Sequence, residues 1–214
     1  HVVVATGASW RRDGIGRYNR HPVLTGSEGN VLTPDDVLDG AEIHGPVVIY
    51  DEDGAYLCNT IAEKLAEKGH DVTVVVPSAE IAPYLALTME QQKVIARLMA
   101  MNIRIERLKM LSSIAGDSIH FACVHGGPGL TLSLGTAIVA TSREPNDSLF
   151  HQLSSLGSAL KDAGIKSVSR IGDCEAPSII AAAVHAGHRW AREMDIDVSL
   201  NPLCYFPMPL SEKF

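Results

Sequence analysis

Two stretches of this chain place glycine and carboxylate directly after an apolar run, where a strand hands over to a turn able to cradle phosphate. The first reads Asp51-Glu52-Asp53-Gly54-Ala55-Tyr56, after residues 47–50; the second reads Gly172-Asp173-Cys174-Glu175-Ala176-Pro177, after residues 167–171. A shorter tripeptide, Ala5-Thr6-Gly7, closes the apolar run at the start of the chain. The chemistry common to such turns is the approach of backbone N–H groups to a pyrophosphate at a helix N-terminus, for which a dinucleotide-binding turn carries G-x-G-x-x-G. In the first turn Gly54 alone survives from that pattern. Asp51, Glu52 and Asp53 stand where phosphate would come in, so a diphosphate would meet repulsion instead of a favourable dipole. Asp51, Asp53 and Gly54 are therefore expected to mark a degenerate dinucleotide turn that keeps its shape without holding NAD(P)H tightly. At the second turn Pro177 suits a helix start, Ala and Gly line the helix 178–194, and its first backbone N–H groups can face a pyrophosphate.

Other chemistries find less support in the residue pattern. His185, His188, Arg189 and Arg192 share the helix 178–194, but no carboxylate or cysteine is placed to complete a metal site, so they read as an exposed or interdomain face. His120 and His125 fall on a hairpin and read as solvated. Cys58 and Cys174 sit close to the two turns without a redox partner and read as small hydrophobes. No Ser-His-Asp order or two-carboxylate arrangement presents itself, and no catalytic residue is assigned within this chain.

The elements that must position these turns follow from hydrophobic periodicity. Residues 45–77 read strand, helix, strand: a short apolar run, then Ile61, Ala62, Leu65 and Ala66 at helical spacing, Gly69 as the helix stop, and a β-branched run ended by Pro77. A crossover of this length makes the two strands parallel neighbours. Residues 9–45 are irregular, with a short helix signal at Thr33-Pro34, and are taken as a linker. An amphipathic helix is expected over 88–101, with Val94, Ile95, Leu98 and Met99 on its inner stripe. Strands SIHFACVH and LTLSL form a meander about the Gly126-Gly127-Pro128-Gly129 turn, and residues 136–141 form another buried strand. A helix over 146–163 and a strand over 167–171 lead to the second turn.

Composition sets outer limits. The 214 residues carry a net charge of −7 and 46% hydrophobic side chains, enough for one or two cored domains. An acidic balance offers no basic surface to nucleic acid, and no apolar run approaches the ~18 residues of a membrane-spanning helix. Cys58, Cys123, Cys174 and Cys204 are far apart with no C-x-x-C pair, which suits reduced thiols in a cytoplasmic protein. The chain opens on His1 inside a strand-like run, with no initiator methionine or signal peptide, and is expected to be a piece of a longer polypeptide.

Taken in order, Ala5-Thr6-Gly7, the 45–77 crossover with its altered turn, the Arg143-Glu144-Pro145 corner and the Gly172-Asp173 turn resemble the C-terminal region of one flavoprotein family. It is that of the iron-sulfur NADH:flavin oxidoreductases related to old yellow enzyme, of the trimethylamine dehydrogenase and 2,4-dienoyl-CoA reductase type. The resemblance implies an N-terminal barrel, absent here, that carries FMN and an iron-sulfur cluster and does the chemistry. It implies an α/β, doubly wound fold: a Rossmann-like NAD-domain-type sheet with a β-meander, plus a partial FAD-like domain built as in disulfide reductases. Residues 1–44 would be a strand of that FAD-like domain and a linker, residues 45–145 the NAD-like domain, and residues 146–214 the return to the FAD-like domain and a C-terminal tail.

Carried over by position, Thr6, Gly7, Gly172, Asp173 and Ala176 would hold ADP or FAD, with Asp173 accepting a hydrogen bond from a ribose or ribityl hydroxyl. The altered turn resembles that of the amine dehydrogenases, which pass electrons to an electron-transferring flavoprotein, so oxidation of an amine or N-methyl compound is implied for the whole enzyme. The piece by itself is expected to be inactive, to pack on its own N-terminal barrel and to belong to a homo-oligomer. Two other readings stay open: an NAD(P)H-dependent flavin reductase of the dienoyl-CoA reductase type, and a non-catalytic docking module.

Overall fold

The computed structural model describes residues 1–26 and 28–194. The expected C-terminal tail, with Cys204, lies outside the described residues. The elements run β1 (Val2–Val4), β2 (Ala8–Trp10), β3 (Val31–Leu32), α1 (Pro34–Leu38), β4 (Val47–Asp51), α2 (Leu57–Glu67) and β5 (Val72–Val75). A 3-10 segment, Pro83–Thr88, then leads to α3 (Gln91–Ala100), β6 (Arg104–Glu106), β7 (Lys109–Ala115), β8 (Ser118–Cys123), β9 (Leu130–Ser133) and β10 (Thr136–Ala140). Last come β11 (Arg143–Pro145), α4 (Ser148–Ser155), α5 (Ser158–Asp162), β12 (Val168–Arg170), the 3-10 turn Gly172–Cys174 and α6 (Ile180–Glu193). The chain divides into two compact units, one made of His1–Ala8 with the residues from Pro145 onward, the other of Ser9–Glu144.

The Ser9–Glu144 unit is a mixed α/β fold on a five-stranded parallel sheet of order β3-β10-β4-β5-β6. From β4 the chain moves outward through β5 and β6, then returns to β10 on the other side of β4, so the strand order reverses beside β4. Strands β4 and β10 are buried along their whole length, as a parallel sheet covered on both faces requires. Alternation divides β4 between two cores. Val47 and Ile49 pack with Ile61, Ala62, Leu65, Leu85 and Leu98 on the helical side, whereas Val48 and Tyr50 pack with Leu111, Ile119, Phe121 and Leu132 of the meander. The meander β7-β8-β9 is an antiparallel three-stranded sheet of its own. No helix among the described residues is long and apolar enough to cross a membrane.

Several local expectations are corrected. Residues 9–45 are not a plain linker: β3 pairs with β10 at Val31 and Leu32, and α1 is fixed by a capping box between Thr33 and Asp36. A two-residue strand is too short to show a period, which is why the sequence pattern passes over it. Helix α3 starts later than expected because Met89 is left-handed (φ 58°), and Met99 turns outward while Leu98 fills the core. The helix expected over 146–163 breaks at Gly157 (φ 53°) into α4 and α5.

In the other unit β1 and β12 form a parallel pair with Val2, Val3 and Val4 opposite Val168, Ser169 and Arg170. Its helices α4, α5 and α6 bury no residue completely; Val4 and Cys174 are the closed-off side chains there among the described residues.

Candidate functional site

Both glycine-carboxylate turns stand at the carboxyl ends of parallel strands, the edge where open α/β sheets place ligands. At the end of β4 the first two carboxylates, Asp51 and Glu52, turn inward. Asp51 is 2% exposed; its Oδ1 accepts the Gly54 N–H at 3.0 Å, and its Oδ2 has no hydrogen-bond partner. Burial pushes the Asp51 carboxyl up to about 6, against the pull of the Gly54 N–H and with the charge of Asp53 adding to it. The Cys58 thiol, also buried, is driven well above its ordinary range by burial and by the Asp51 and Asp53 charges.

Glu52 is a buried brace. Its Oε1 accepts the Tyr50 hydroxyl at 2.7 Å, and its Oε2 accepts the backbone N–H of Arg17 at 2.5 Å and of Tyr18 at 3.4 Å. Burial and the adjoining carboxylate hold the Tyr50 phenol far above its usual range, so it stays a donor. Gly16 lies so close that a Cβ there would run into Glu52 Oε2. Asp53 is half-buried; burial raises its pKa, and the charges of Arg143 and Arg17 work against that rise.

The three acidic residues therefore do not form the outward-facing barrier that their order in the sequence suggests. Asp51 ends a strand buried on both faces and the other two follow it, and the first two are drawn into the interior with partners found there. Gly54, with φ +67°, is covered by its own chain. A Cβ built on it would meet Pro83 Cδ at 3.1 Å, Pro83 Cγ at 3.2 Å and Tyr84 Cδ2 at 3.4 Å. The Tyr84 N–H donates to the Gly54 carbonyl at 3.1 Å. Pro83, Tyr84 and Arg17 are the residues that sequence reasoning missed at this turn; the signal available was Ala82-Pro83 opening a short turn-rich excursion.

The turn after β12 has a different character. Thr6 and Gly7 follow β1, and Gly172, Asp173 and Ala176 follow β12; since those strands are neighbours, the five residues come to one end of the pair. The Thr6 hydroxyl donates to the Asn146 carbonyl and lies 3.3 Å from Cys174 Sγ. Asn146 returns its backbone N–H to the Gly7 carbonyl at 2.9 Å and its Nδ2 to the Thr6 carbonyl at 3.3 Å. Asn146, just after β11, thus ties down the Thr6–Gly7 end of the site, and nothing in its sequence surroundings singles it out. Ala176 and Glu175 donate their N–H groups to the Gly172 carbonyl at 2.9 Å, and Asp173 Oδ1 accepts the Ser178 N–H at 3.0 Å.

Space is kept at this second turn. A Cβ at Gly7 would meet nothing within 4 Å, and one at Gly172 would find Ala183 Cβ only at 3.5 Å. Helix α6 begins at Ile180, two residues beyond the expected start, because Ile179 is still extended. His185, His188, Arg189 and Arg192 are exposed on α6, and Arg189 pairs with Glu193 at 3.0 Å. Cys174 is buried between Thr6 and Asn146, in keeping with a small side chain that fills a gap.

Comparison with known proteins gives this geometry a setting. Residues 32–153 match a family model described as OYE-like second alpha/beta domain. The chain is 30% identical over 215 residues to the dimethylamine dehydrogenase of Hyphomicrobium sp. (strain x), covering 91% of this chain and 29% of that protein. It is 35% identical to histamine dehydrogenase from Rhizobium sp. 4-9, with a TM-score of 0.85 over 92% of this chain and 31% of that one. It is 34% identical to 6-hydroxypseudooxynicotine amine oxidase from Pseudomonas geniculata N1, with a TM-score of 0.82 over 88% of this chain and 28% of that one. The chain therefore spans less than a third of the length of each of these relatives.

Proposed function

Since the chain belongs to the OYE-like second alpha/beta domain family, we propose that it is the nucleotide-domain portion of a flavin-dependent oxidoreductase acting on an amine or N-methyl compound. One observation carries this: relatives named for dimethylamine, histamine and 6-hydroxypseudooxynicotine share 30–35% of its residues over about nine-tenths of the chain. The reacting groups, FMN and an iron-sulfur cluster, would belong to an N-terminal barrel, with an electron-transferring flavoprotein as electron acceptor. The five-stranded parallel sheet is read as Rossmann-like, and the β1–β12 unit as the partial FAD-like domain into which the residues Ser9–Glu144 are inserted.

Within this chain the turn after β12 is the nucleotide site. When bound, ADP or FAD would supply a diphosphate and ribose hydroxyls to recognise, and in the case of FAD a second flavin. The residues present fit such a group: Gly7 leaves open space, a Cβ on Gly172 would meet Ala183 only at 3.5 Å and beyond, and Thr6 is exposed at the strand end. Gly172 and Ala176 shape the turn for a diphosphate. Asp173 holds the entry to α6 through Ser178 and serves as acceptor for a ribose or ribityl hydroxyl. The assignment also implies a cytoplasmic homo-oligomer.

Two measurements test the reading. Added to this chain, ADP should slow amide exchange at residues 5–7 and 172–178, and Gly172→Val should abolish that protection. The whole enzyme should reduce its flavin with a methylated amine and stay oxidised with NADH. Rapid reduction by NADH would favour the dienoyl-CoA reductase type instead.

A further inference from the structure

We propose that the segment Pro83–Thr88 is a built-in plug over the turn after β4, so that the chain's own backbone and side chains, and not its acidic residues, shut a dinucleotide out. This rests on reading the parallel sheet as one built on a nucleotide-binding plan. The turn lies where the strand order reverses, at the carboxyl end of β4, and there a sheet of this kind has its ligand crevice. Glycine is used at such a turn because, without a Cβ, it lets a pyrophosphate come close. Here that space is taken. The Pro83 ring carbons stand 3.1 and 3.2 Å from the position of a Cβ on Gly54, and the Tyr84 N–H has claimed the Gly54 carbonyl at 3.1 Å.

The plug is held from both ends and from outside. Ile81, Ala82 and Leu85 are buried in the helical-side core, and the Gln91 side chain donates to the Ile81 carbonyl at 2.9 Å. Ala82 (φ 48°) and Met89 (φ 58°) flank the segment, both left-handed without being glycine, a conformation that persists only where the surroundings hold it. On the outer side the Arg17 guanidinium donates to the Tyr84 hydroxyl and lies 5.3 Å above its ring. Arg17 itself is positioned through its backbone N–H on the buried Glu52. The electrostatic barrier is small by comparison, since Asp51 and Glu52 face inward and Asp53 feels the charges of Arg143 and Arg17.

Two variants of the full chain separate plug from charge: the double variant Arg17→Ala, Tyr84→Ala, which unlatches the segment, and Asp53→Asn, which removes the outer carboxylate. The probe is NADH at millimolar concentration, read as amide-exchange protection at residues 54–59. The double variant should gain NADH association by ~10-fold or more, a change of about 1.4 kcal/mol, while Asp53→Asn stays like the parent. Protection in the parent would overturn the reading of the turn as disused, which is a failure of the functional proposal. A gain in Asp53→Asn without one in the double variant, or no gain in either, would overturn the plug. Should the double variant fail to fold, the parent decides: the Tyr84 amide must exchange as slowly as those of β5, and fast exchange there means that no plug exists.

Discussion

The turns after β4 and after β12 share a plan of strand, glycine with positive φ, carboxylate and helix, yet they differ in what packs against the glycine. At Gly54 a proline ring and a tyrosine lie at 3.1 to 3.4 Å from a would-be Cβ; at Gly172 the neighbour is the methyl of Ala183 at 3.5 Å. The carboxylates differ in the same direction. Glu52 is buried and braces Tyr50 and the Arg17–Tyr18 backbone, whereas Asp173 is half-buried and accepts the N–H of Ser178. The lesson is that a glycine-carboxylate turn is a local scaffold whose fate is set by residues distant in sequence. One has been absorbed into a core and the other left with room.

Substitution of the braces should break the comparison most sharply. Glu52→Ala strands a buried phenol and two backbone donors, so the Ser9–Glu144 unit should lose about 3 kcal/mol in denaturant unfolding. Asp173→Ala removes a turn cap and should cost its own unit no more than about 1 kcal/mol. Equal losses at the two positions would mean that the turns are not so different.

The pH dependence of Asp51 sharpens it next. Its folded-state carboxyl is raised, from 3.8 to about 6, so the folded chain binds that proton more tightly than the unfolded one. The sign follows: the stabilising effect of protonation is full below about pH 4 and disappears as pH rises through 6. The Ser9–Glu144 unit should therefore become less stable between pH 4 and 7, by at most ~3 kcal/mol from this group. Asp51→Asn should flatten that part of the profile and be the more stable form at pH 8, as measured by urea midpoints across pH.

The glycines themselves give the smallest contrast. Gly54→Ala adds a tight contact with Pro83, at 3.1 Å, to the cost of a left-handed residue and should lower stability by about 2 kcal/mol. Gly172→Ala has only the backbone cost, about 1 kcal/mol, because Ala183 stands at ordinary contact distance. Thermal unfolding of the two variants, followed in each unit by amide exchange, measures the difference.

Much of the framework was legible in the chain. The 45–77 crossover, the capping of α1 by Thr33 and the antiparallel pairing of β8 with β9 follow from period, cap chemistry and turn residues, all of which act within a few positions. Residues Thr6, Gly7, Gly172, Asp173 and Ala176 were nameable as a set only through the family resemblance. What stayed illegible depended on partners far away: β3, with two residues and no period of its own, and Asn146, whose backbone joins the Thr6 end of the second turn.

The sequence by itself determined that strand, turn and helix follow one another at both glycines, because hydrophobic spacing and backbone preference are local and additive along the chain. Only the tertiary structure decided which way the carboxylates face and what fills the space beside Gly54. Those depend on burial and on contacts between residues as distant as Arg17 and Tyr84, and a run of charged letters looks the same whether it points into water or into a core.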